Sequence, residues 1–302
     1  MNITGYLAPD GFLADLQHEL GDAAIETHSR LVLAEGPPRE VAWVANVWRA
    51  PQRLAITSIG DAAKQLRAIQ RNWVLYSFAH HRRAALIAEK LPKVSAKPLA
   101  FGDAAPSAPL GSWTLLDNET LLAAPDCSSP FPNGEAAFIE DRAPPSRAYL
   151  KLWEVFTLLG TRPKPGETCL DLGASPGGWS YVLGKLGARV IAIDKASLDP
   201  RVLALPGVEQ RQESAFALTP RDVGPVDWLF SDVICYPERL LALIEKFLAA
   251  GTVKNFICTI KFQGETDFAT QARFAAIPGS RLMHLHANKH ELTWVWLAPQ
   301  PG

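Results

Sequence analysis

Charged side chains follow four short apolar runs in the second half of this 302-residue chain. Asp171, Asp194 and Asp232 each end one run, and Lys261 ends another. Runs of this length and composition are typical of buried parallel strands. In open α/β sheets, ligands bind beyond the carboxyl ends of the strands. The sequence therefore predicts one ligand site, shared by three carboxylates and a lysine.

A glycine-rich turn follows the first of these predicted strands, Thr168 to Leu172. Glycine has no Cβ, so such a turn allows positive φ and lets a ligand approach the backbone closely. Two ligands suit a strand, glycine turn and helix in this order: a dinucleotide or S-adenosylmethionine (SAM). The dinucleotide fingerprint needs the spacing G-x-G-x-x-G, which Ser175 and Pro176 interrupt. Asp171 also disfavours a pyrophosphate and favours a ligand with a cationic amino acid group.

The turn belongs to the string Asp-Leu-Gly-Ala-Ser-Pro-Gly-Gly-Trp-Ser, residues 171–180. This string resembles the motif D-L-G-x-x-P-G-G-[WF]-[ST] of the FtsJ-like RNA 2′-O-ribose methyltransferases. The resemblance implies SAM as the cofactor and RNA as the substrate. Ser214 stands where the family usually has an Asp that reaches the adenine amino group. The cofactor-binding residues that we expect are Asp171, Gly173, Ser175, Pro176, Gly177, Gly178, Trp179, Asp194, Ser214 and Asp232.

The same resemblance indicates a catalytic set, because Lys151, Asp232, Lys261 and Glu291 match the Lys-Asp-Lys-Glu tetrad of the family. A ribose 2′-hydroxyl must lose its proton as it attacks the sulfonium methyl group. We expect Lys261 to take that proton, and Lys151 to favour the neutral amine of Lys261 by like-charge repulsion. We expect Asp232 to orient Lys261, and Glu291 to orient Lys151.

The resemblance covers residues 141–297 and is closest to the RlmM group, the large-subunit (23S) ribosomal RNA cytidine 2′-O-methyltransferases. The string Ala-Pro-Pro-Ser-Arg-Ala-Tyr-Leu-Lys-Leu-Trp-Glu-Val-Phe, residues 143–156, is similar to the start of that group's catalytic domain. Ser-Ser-Pro-Phe at residues 128–131 is similar as well. The group carries an N-terminal THUMP-type RNA-binding module, so the resemblance implies a related module here.

Apolar patterns divide the chain into two domains. From Thr168 onward strands alternate with helices, which predicts a Rossmann-like, doubly wound α/β domain over residues 146–302. Residues 1–125 mix strands and helices, and we expect a small α+β, THUMP-like RNA-binding domain there. The turn-rich residues 126–145 are the expected linker. We also expect Ser146 to cap the helix that carries Lys151, and Asp61 to cap a helix ending at Ile69.

The charge of the chain is unevenly distributed. Residues 49–97 contain ten Lys and Arg but only two acidic residues, a net charge of 10 − 2 = +8, whereas the whole chain carries −1. Such a cationic segment favours contact with RNA phosphates. Aromatic residues are interleaved with the basic ones, and they suit either base stacking or a core; the core is the favoured interpretation. They are Trp48, Trp73, Tyr76 and Phe78.

The composition is that of an ordinary globular protein, since 48% of the residues are hydrophobic. No stretch approaches the roughly 18 apolar residues of a membrane helix, and Met1 to Pro9 lack the pattern of a secretory signal. The four cysteines show no C-x-x-C spacing, and the histidines near residue 286 lack the spacing of a metal site. We therefore expect a cytoplasmic protein with no metal and no membrane partner, and we favour a monomer.

Three other functions remain open at this point. The enzyme could methylate a different RNA, such as tRNA or mRNA. The fold could instead serve as a catalytically silent RNA-binding or ribosome-assembly factor, although a silent site has no physical need for two lysines and two carboxylates. A nucleotide-dependent dehydrogenase is disfavoured by Pro176 and by the missing glycine spacing.

Overall fold

The computed structural model of the protein describes residues 2–299 and divides into two compact units. Unit 1 ends at Ile139 and unit 2 begins at Glu140. This border lies inside the expected linker 126–145, but the first part of that linker belongs to unit 1. The physical reason is strand pairing, because Cys127 pairs with Trp48 in a sheet of unit 1.

The strands of unit 1 form two sheets, one with the order β2-β3-β1-β4-β9 and one with the order β5-β8-β7-β6. Three helices, α1 to α3, accompany them. The bounds are β1 Ile3–Leu7, α1 Leu13–Leu20, β2 Ala24–His28, β3 Leu31–Glu35, β4 Asn46–Arg49, β5 Gln52–Ala55, α2 Ile59–Ile69, β6 Trp73–Leu75, α3 His81–Ala88, β7 Gly111–Leu115, β8 Thr120–Ala124 and β9 Asp126–Cys127.

The aromatic residues of the basic segment belong mainly to the core of unit 1. Trp73 packs in a cluster with Leu66 of α2 and Ile87 of α3. Trp48 and Tyr76 lie in a second buried cluster, and both side chains are less than 9% exposed. These three rings therefore stabilise the fold and are not offered to RNA bases.

Both predicted helix caps are wrong. Helix α2 begins at Ile59, and its cap is Ser58, whose hydroxyl accepts a hydrogen bond from the backbone N–H of Asp61 at 3.1 Å. In unit 2, the helix that carries Lys151 begins at Tyr149 with no side-chain cap, so Ser146 lies before the cap position. Several residues within one turn can cap a helix equally well, and local sequence does not choose between them.

Unit 2 is an α/β sandwich whose seven strands have the order β12-β11-β10-β13-β14-β16-β15. The bounds are α4 Tyr149–Leu159, β10 Thr168–Leu172, α5 Gly178–Lys185, β11 Arg189–Ile193, α6 Pro200–Leu203, β12 Val208–Arg211, α7 Pro220–Val223, β13 Val226–Ser231, α8 Pro237–Ala250, β14 Val253–Lys261, α9 Phe268–Ala275, β15 Ser280–Met283 and β16 Glu291–Leu297. The predicted Rossmann-like α/β fold is confirmed.

Sheet topology brings the predicted site residues together. Strand β10 pairs in parallel with β11 and β13, and β13 pairs in parallel with β14, so their carboxyl ends share one edge. Strand β16 runs antiparallel to β14, and its first residue, Glu291, is the register partner of Lys261. The first residue of the antiparallel strand β16 therefore lies at the edge where the parallel strands end.

No helix within residues 2–299 is long and apolar enough to cross a membrane. The same residues hold no group of three or more His, Cys, Asp and Glu side chains that could bind a metal ion. Cys127, Cys169, Cys235 and Cys258 are all free thiols.

Candidate active site

Two lysines and two carboxylates form a connected cluster at the carboxyl edge of the sheet in unit 2. Lys151 Nζ lies 2.6 Å from Glu291 Oε1 and 3.0 Å from Asp232 Oδ1. Lys261 Nζ lies 3.1 Å from the same Asp232 oxygen and donates to the Asp232 carbonyl oxygen at 2.6 Å. Asp232 is therefore the shared acceptor that links the two lysines.

The cluster is largely removed from water. The side chains of Lys151, Glu291 and Asp232 are 10%, 9% and 15% exposed, and that of Lys261 is the most open at 19%. Charges at such depth are tolerated only when they are paired and hydrogen-bonded, because desolvation is costly. Two ammonium groups and two carboxylates satisfy this condition, and Lys261 is the member that incoming molecules can reach most easily.

Each member comes from a different structural element. Lys151 lies in the first turn of α4, Asp232 follows β13, Lys261 ends β14 and Glu291 begins β16. Helix α4 is held against the glycine turn by Trp179, whose indole N–H donates to the Ala148 carbonyl at 2.9 Å. The cluster therefore depends on the packing of α4 as well as on the sheet.

A cavity of about 260 Å³ opens beside the cluster. It contains most of the residues that the sequence predicts for cofactor binding, but neither Gly177 nor Ser214 lines it. Its lining residues are Ser146, Ala148, Asp171, Gly173, Ala174, Ser175, Pro176, Gly178, Trp179, Asp194, Asp232, Val233, Ile234 and Lys261.

Asp171 is the most deeply buried charge of the cavity wall, with 1% exposure. Its Oδ2 accepts a hydrogen bond from the Ser180 hydroxyl at 2.6 Å, whereas Oδ1 has no hydrogen-bond partner in the structure. Burial raises the pKa of the Asp171 carboxyl from 3.8 to about 7, against the opposing effect of the Ser180 hydrogen bond. A buried acceptor without a partner is costly, so Oδ1 is a ready binding point for a donor group.

The glycine turn needs its glycines for two separate reasons. Gly173 and Gly177 have φ of +76° and +114°, which L side chains adopt only with strain. A Cβ on Gly173 would also lie 2.6 Å from Val233 Cα, and one on Gly178 would lie 2.4 Å from Ser146 Oγ. Gly177 therefore shapes the turn without lining the cavity. Gly173 and Gly178 allow neighbouring segments to pack closely against the turn.

The remaining predicted residues differ in how directly they meet the cavity. Asp194 lines it, and its two oxygens accept from the backbone N–H groups of Ser175 and Ala196 at 3.0 and 2.9 Å. An ionised carboxylate has about four acceptor positions, so Asp194 retains room for further donors. Trp179 is 3% exposed and packs edge-on against Phe230, so its clearest role is to position α4.

Glu154 is a functional residue that sequence reasoning missed. It lies three residues after Lys151 on the same face of α4, and only 3% of it is exposed. Its carboxylate accepts from the backbone N–H groups of His286 and Ala287 at 2.6 and 3.0 Å. It thereby holds the loop that leads into Glu291, so α4 fixes both the tetrad lysine and the approach to its partner. Burial raises the pKa of Glu154 from 4.5 to about 7.

The segment that carries the site is similar to a known protein family. The model of the FtsJ-like methyltransferase family matches residues 144–262. This range contains the glycine turn, Lys151, Asp232 and Lys261. Residues 144–262 are therefore similar to the FtsJ-like methyltransferase family.

Curated relatives agree with this assignment. A protein named ribosomal RNA large subunit methyltransferase M, from Methylococcus capsulatus, is 36% identical over 141 residues, 45% of this chain and 40% of the relative. Its namesake from Halorhodospira halophila is 38% identical over 134 residues, 43% of this chain and 39% of the relative. A third, from Marinomonas sp., is 28% identical over 263 residues, 81% of this chain and 73% of the relative. The chain thus aligns with about two fifths of the length of the first two.

Replacement of Gly173 by alanine should destabilise unit 2 and disturb the cavity. The new Cβ would strain the backbone and press on Val233, next to Asp232. Gly166→Ala is the matched control, because Gly166 has a similar φ of +83° and no atom within 4 Å of the added Cβ. Urea unfolding should show a loss of about 1–2 kcal/mol for the control and a clearly larger loss for Gly173→Ala. Equal losses would mean that the contact with Val233 is unimportant.

Glu154→Gln should flatten the pH dependence of stability. The folded pKa of Glu154, about 7, lies above its ordinary value of 4.5. The folded state therefore keeps a proton that the unfolded chain loses, and the stabilisation present below pH 4.5 is lost as the pH rises through 7. The amide also has one acceptor for two N–H groups, which should cost about 1–3 kcal/mol at pH 8. Thermal melting from pH 4.5 to 8 measures both effects, with the exposed Glu245→Gln as control; an unchanged pH profile would contradict this role.

Proposed function

We propose that this protein transfers the methyl group of SAM to a ribose 2′-hydroxyl of RNA, and that large-subunit ribosomal RNA is its substrate. The observation that carries the proposal is the Lys151–Asp232–Lys261–Glu291 cluster beside the glycine-turn cavity. The names of the curated relatives support the choice of RNA. A silent assembly factor would have no use for a paired, desolvated cluster of this kind.

The cavity fits SAM in the chemistry of its donors and acceptors. The unpaired Oδ1 of Asp171 is a suitable acceptor for the amino group of the methionine part. Asp194 lies about 20 residues beyond the glycine turn, at the end of β11, where a carboxylate suits ribose hydroxyls. The glycine turn would lie against the ligand. When bound, SAM would supply an electrophilic methyl group on its sulfonium.

Lys261 is the group that we propose for proton removal. A neutral amine has two N–H bonds and one lone pair, and the two contacts of Lys261 with Asp232 can use both N–H bonds. The lone pair then points away from Asp232 and can accept the hydroxyl proton. During methyl transfer this proton would pass to Lys261 Nζ.

Lys151 and Glu291 complete the site through charge and position. Glu291 and Asp232 together hold the ammonium of Lys151, which places a positive charge within the same cluster as Lys261. This charge stabilises negative charge that develops on the attacking oxygen. Positioning for in-line attack supplies the rest of the rate, since methyl transfer from a sulfonium needs little covalent assistance.

Unit 1 is the proposed RNA-binding part, and its THUMP-like character belongs to the same proposal. Its support is the charge of α2, α3 and the segment that follows. Seven basic side chains there are exposed, and none forms a salt bridge with another residue in the range 2–299: Lys64, Arg67, Arg71, Arg82, Lys90, Lys93 and Lys97. Surface cations of this density that have no carboxylate partner suit contact with a phosphate backbone. We place the reaction in the cytoplasm.

Lys261→Met should lower the single-turnover rate of methyl transfer by about 100-fold or more, because general-base catalysis contributes on that scale. SAM binding should persist, since Asp171 and the glycine turn are intact. Lys254→Met is the matched control, as Lys254 is the second residue of the same strand and also pairs with an aspartate, Asp227, at 2.7 Å. The control should retain the wild-type rate. A wild-type rate in Lys261→Met across the pH range would contradict the proton-acceptor role.

Removal of three cations from unit 1 should weaken RNA binding and its salt dependence. We expect the triple change Lys64→Ala, Arg71→Ala, Arg82→Ala to reduce the slope of log affinity against log salt by about 2, since each phosphate contact on a single strand contributes roughly 0.7. The control removes three exposed cations of unit 2 that lie far from the carboxyl edge: Lys164, Lys185 and Arg189. Equal slopes for the two triple variants would argue against unit 1 as the RNA-binding part.

A further inference from the structure

The segment after Asp232 exposes two large apolar side chains. Ile234 and Tyr236 are 77% and 67% exposed, which are the highest values among the exposed large hydrophobic residues of the described chain. Cys235 and Pro237, which alternate with them, are buried. The two exposed side chains flank the buried Cys235, and this pair is here called the apolar edge.

This edge is continuous with the active site. Ile234 lines the same cavity as Asp232 and Lys261, and Tyr236 follows it by two residues at the start of α8. An apolar surface that faces water has no stabilising role in the isolated chain, and exposed apolar patches beside a cavity mark sites of interaction. The position of this one, at the mouth of the catalytic cavity, favours the substrate as its partner.

A cation without an acidic partner adjoins the apolar edge. Arg239 lies in the first turn of α8 and is exposed. Its guanidinium carbon lies 3.8 Å from the centroid of the Phe216 ring, a stacking contact that fixes the planar group. Within residues 2–299, no carboxylate forms a salt bridge with it. A guanidinium that is held in place and lacks a carboxylate is well suited to a phosphate.

We propose that Ile234, Tyr236 and Arg239 form a subsite, here called the nucleotide subsite, for the nucleotide whose ribose is methylated. Its base packs on Ile234 and Tyr236, and an adjacent phosphate meets Arg239. The inference rests on the proposed function, because it assumes an RNA ribose at Lys261.

The geometry of a nucleotide supports this placement. The base and the 2′-hydroxyl stand on neighbouring carbons of one ribose, so a hydroxyl that reaches Lys261 Nζ leaves its base at the mouth of the cavity. Among the lining residues, Asp171, Ala174, Gly178 and Trp179 are buried, whereas Ile234 projects into solvent. Aromatic and aliphatic faces are what unpaired RNA bases stack on, and they hold the nucleotide without reading its sequence.

The test uses the full chain, SAM and protein-free large-subunit ribosomal RNA, with initial rates measured over a range of RNA concentrations. The variants are Tyr236→Ala, Tyr236→Phe, Ile234→Ser and Arg239→Ala. Leu158→Ala, an exposed aliphatic residue of α4, and Arg189→Ala, an exposed cation at the opposite end of the sheet, are the matched controls. SAM affinity is measured separately by equilibrium dialysis.

We expect Tyr236→Ala to raise the KM for RNA about tenfold or more, on the scale of one lost base-stacking contact. Ile234→Ser and Arg239→Ala should raise KM in the same direction, while Tyr236→Phe and both controls should stay near wild type. SAM affinity should be unchanged in the Tyr236 and Arg239 variants, because neither residue lines the cavity. Rescue by phenylalanine separates stacking from a role of the phenol hydroxyl.

Two results would overturn the inference, and they are distinguishable. An active wild-type enzyme with an unchanged KM in Tyr236→Ala and Arg239→Ala would remove the nucleotide subsite alone, and would leave the apolar edge to a protein partner. No methyl transfer by the wild-type protein to any RNA would remove the proposed function and the subsite with it.

Discussion

The structure of unit 2 depends on one electrostatic constraint, the pairing of two buried lysines with two carboxylates. Lys151 and Lys261 would repel each other in a site removed from water, and Asp232 lies between them while Glu291 holds the far side of Lys151. Loss of one partner would leave an uncompensated buried charge, which is costly. The sheet topology, the approach of α4 and the clamp by Glu154 can all be understood as means of keeping these four groups in contact.

A second consequence follows from where the cluster lies. Asp171, the glycine turn, Asp232 and Lys261 all line one cavity. A methyl donor held by Asp171 and the glycine turn and a ribose hydroxyl at Lys261 would therefore meet in the same cavity.

The sequence predicted the parallel-strand part of the site best. Asp171, Asp194, Asp232 and Lys261 end apolar runs, and parallel strands must bring such ends to one edge. Glu291 was predicted as a site residue only from its likeness to a family motif. It begins an antiparallel strand, so the rule for the ends of parallel strands does not apply to it. Glu154 was not predicted, because the backbone N–H groups that it binds lie 132 and 133 residues further along the chain. The composition of the basic segment could not decide whether its aromatic residues contact RNA or form a core, because that depends on their burial in the fold.

The most direct test of the central claim is the chemical position of the transferred methyl group. Labelled SAM, the wild-type protein and protein-free large-subunit ribosomal RNA are incubated, and the RNA is digested with alkali. Alkaline cleavage uses the 2′-hydroxyl as its nucleophile, so a 2′-O-methyl group protects the following linkage. The account predicts label in alkali-resistant dinucleotides. Label that is released with single nucleotides, as a base methylation would give, would contradict it.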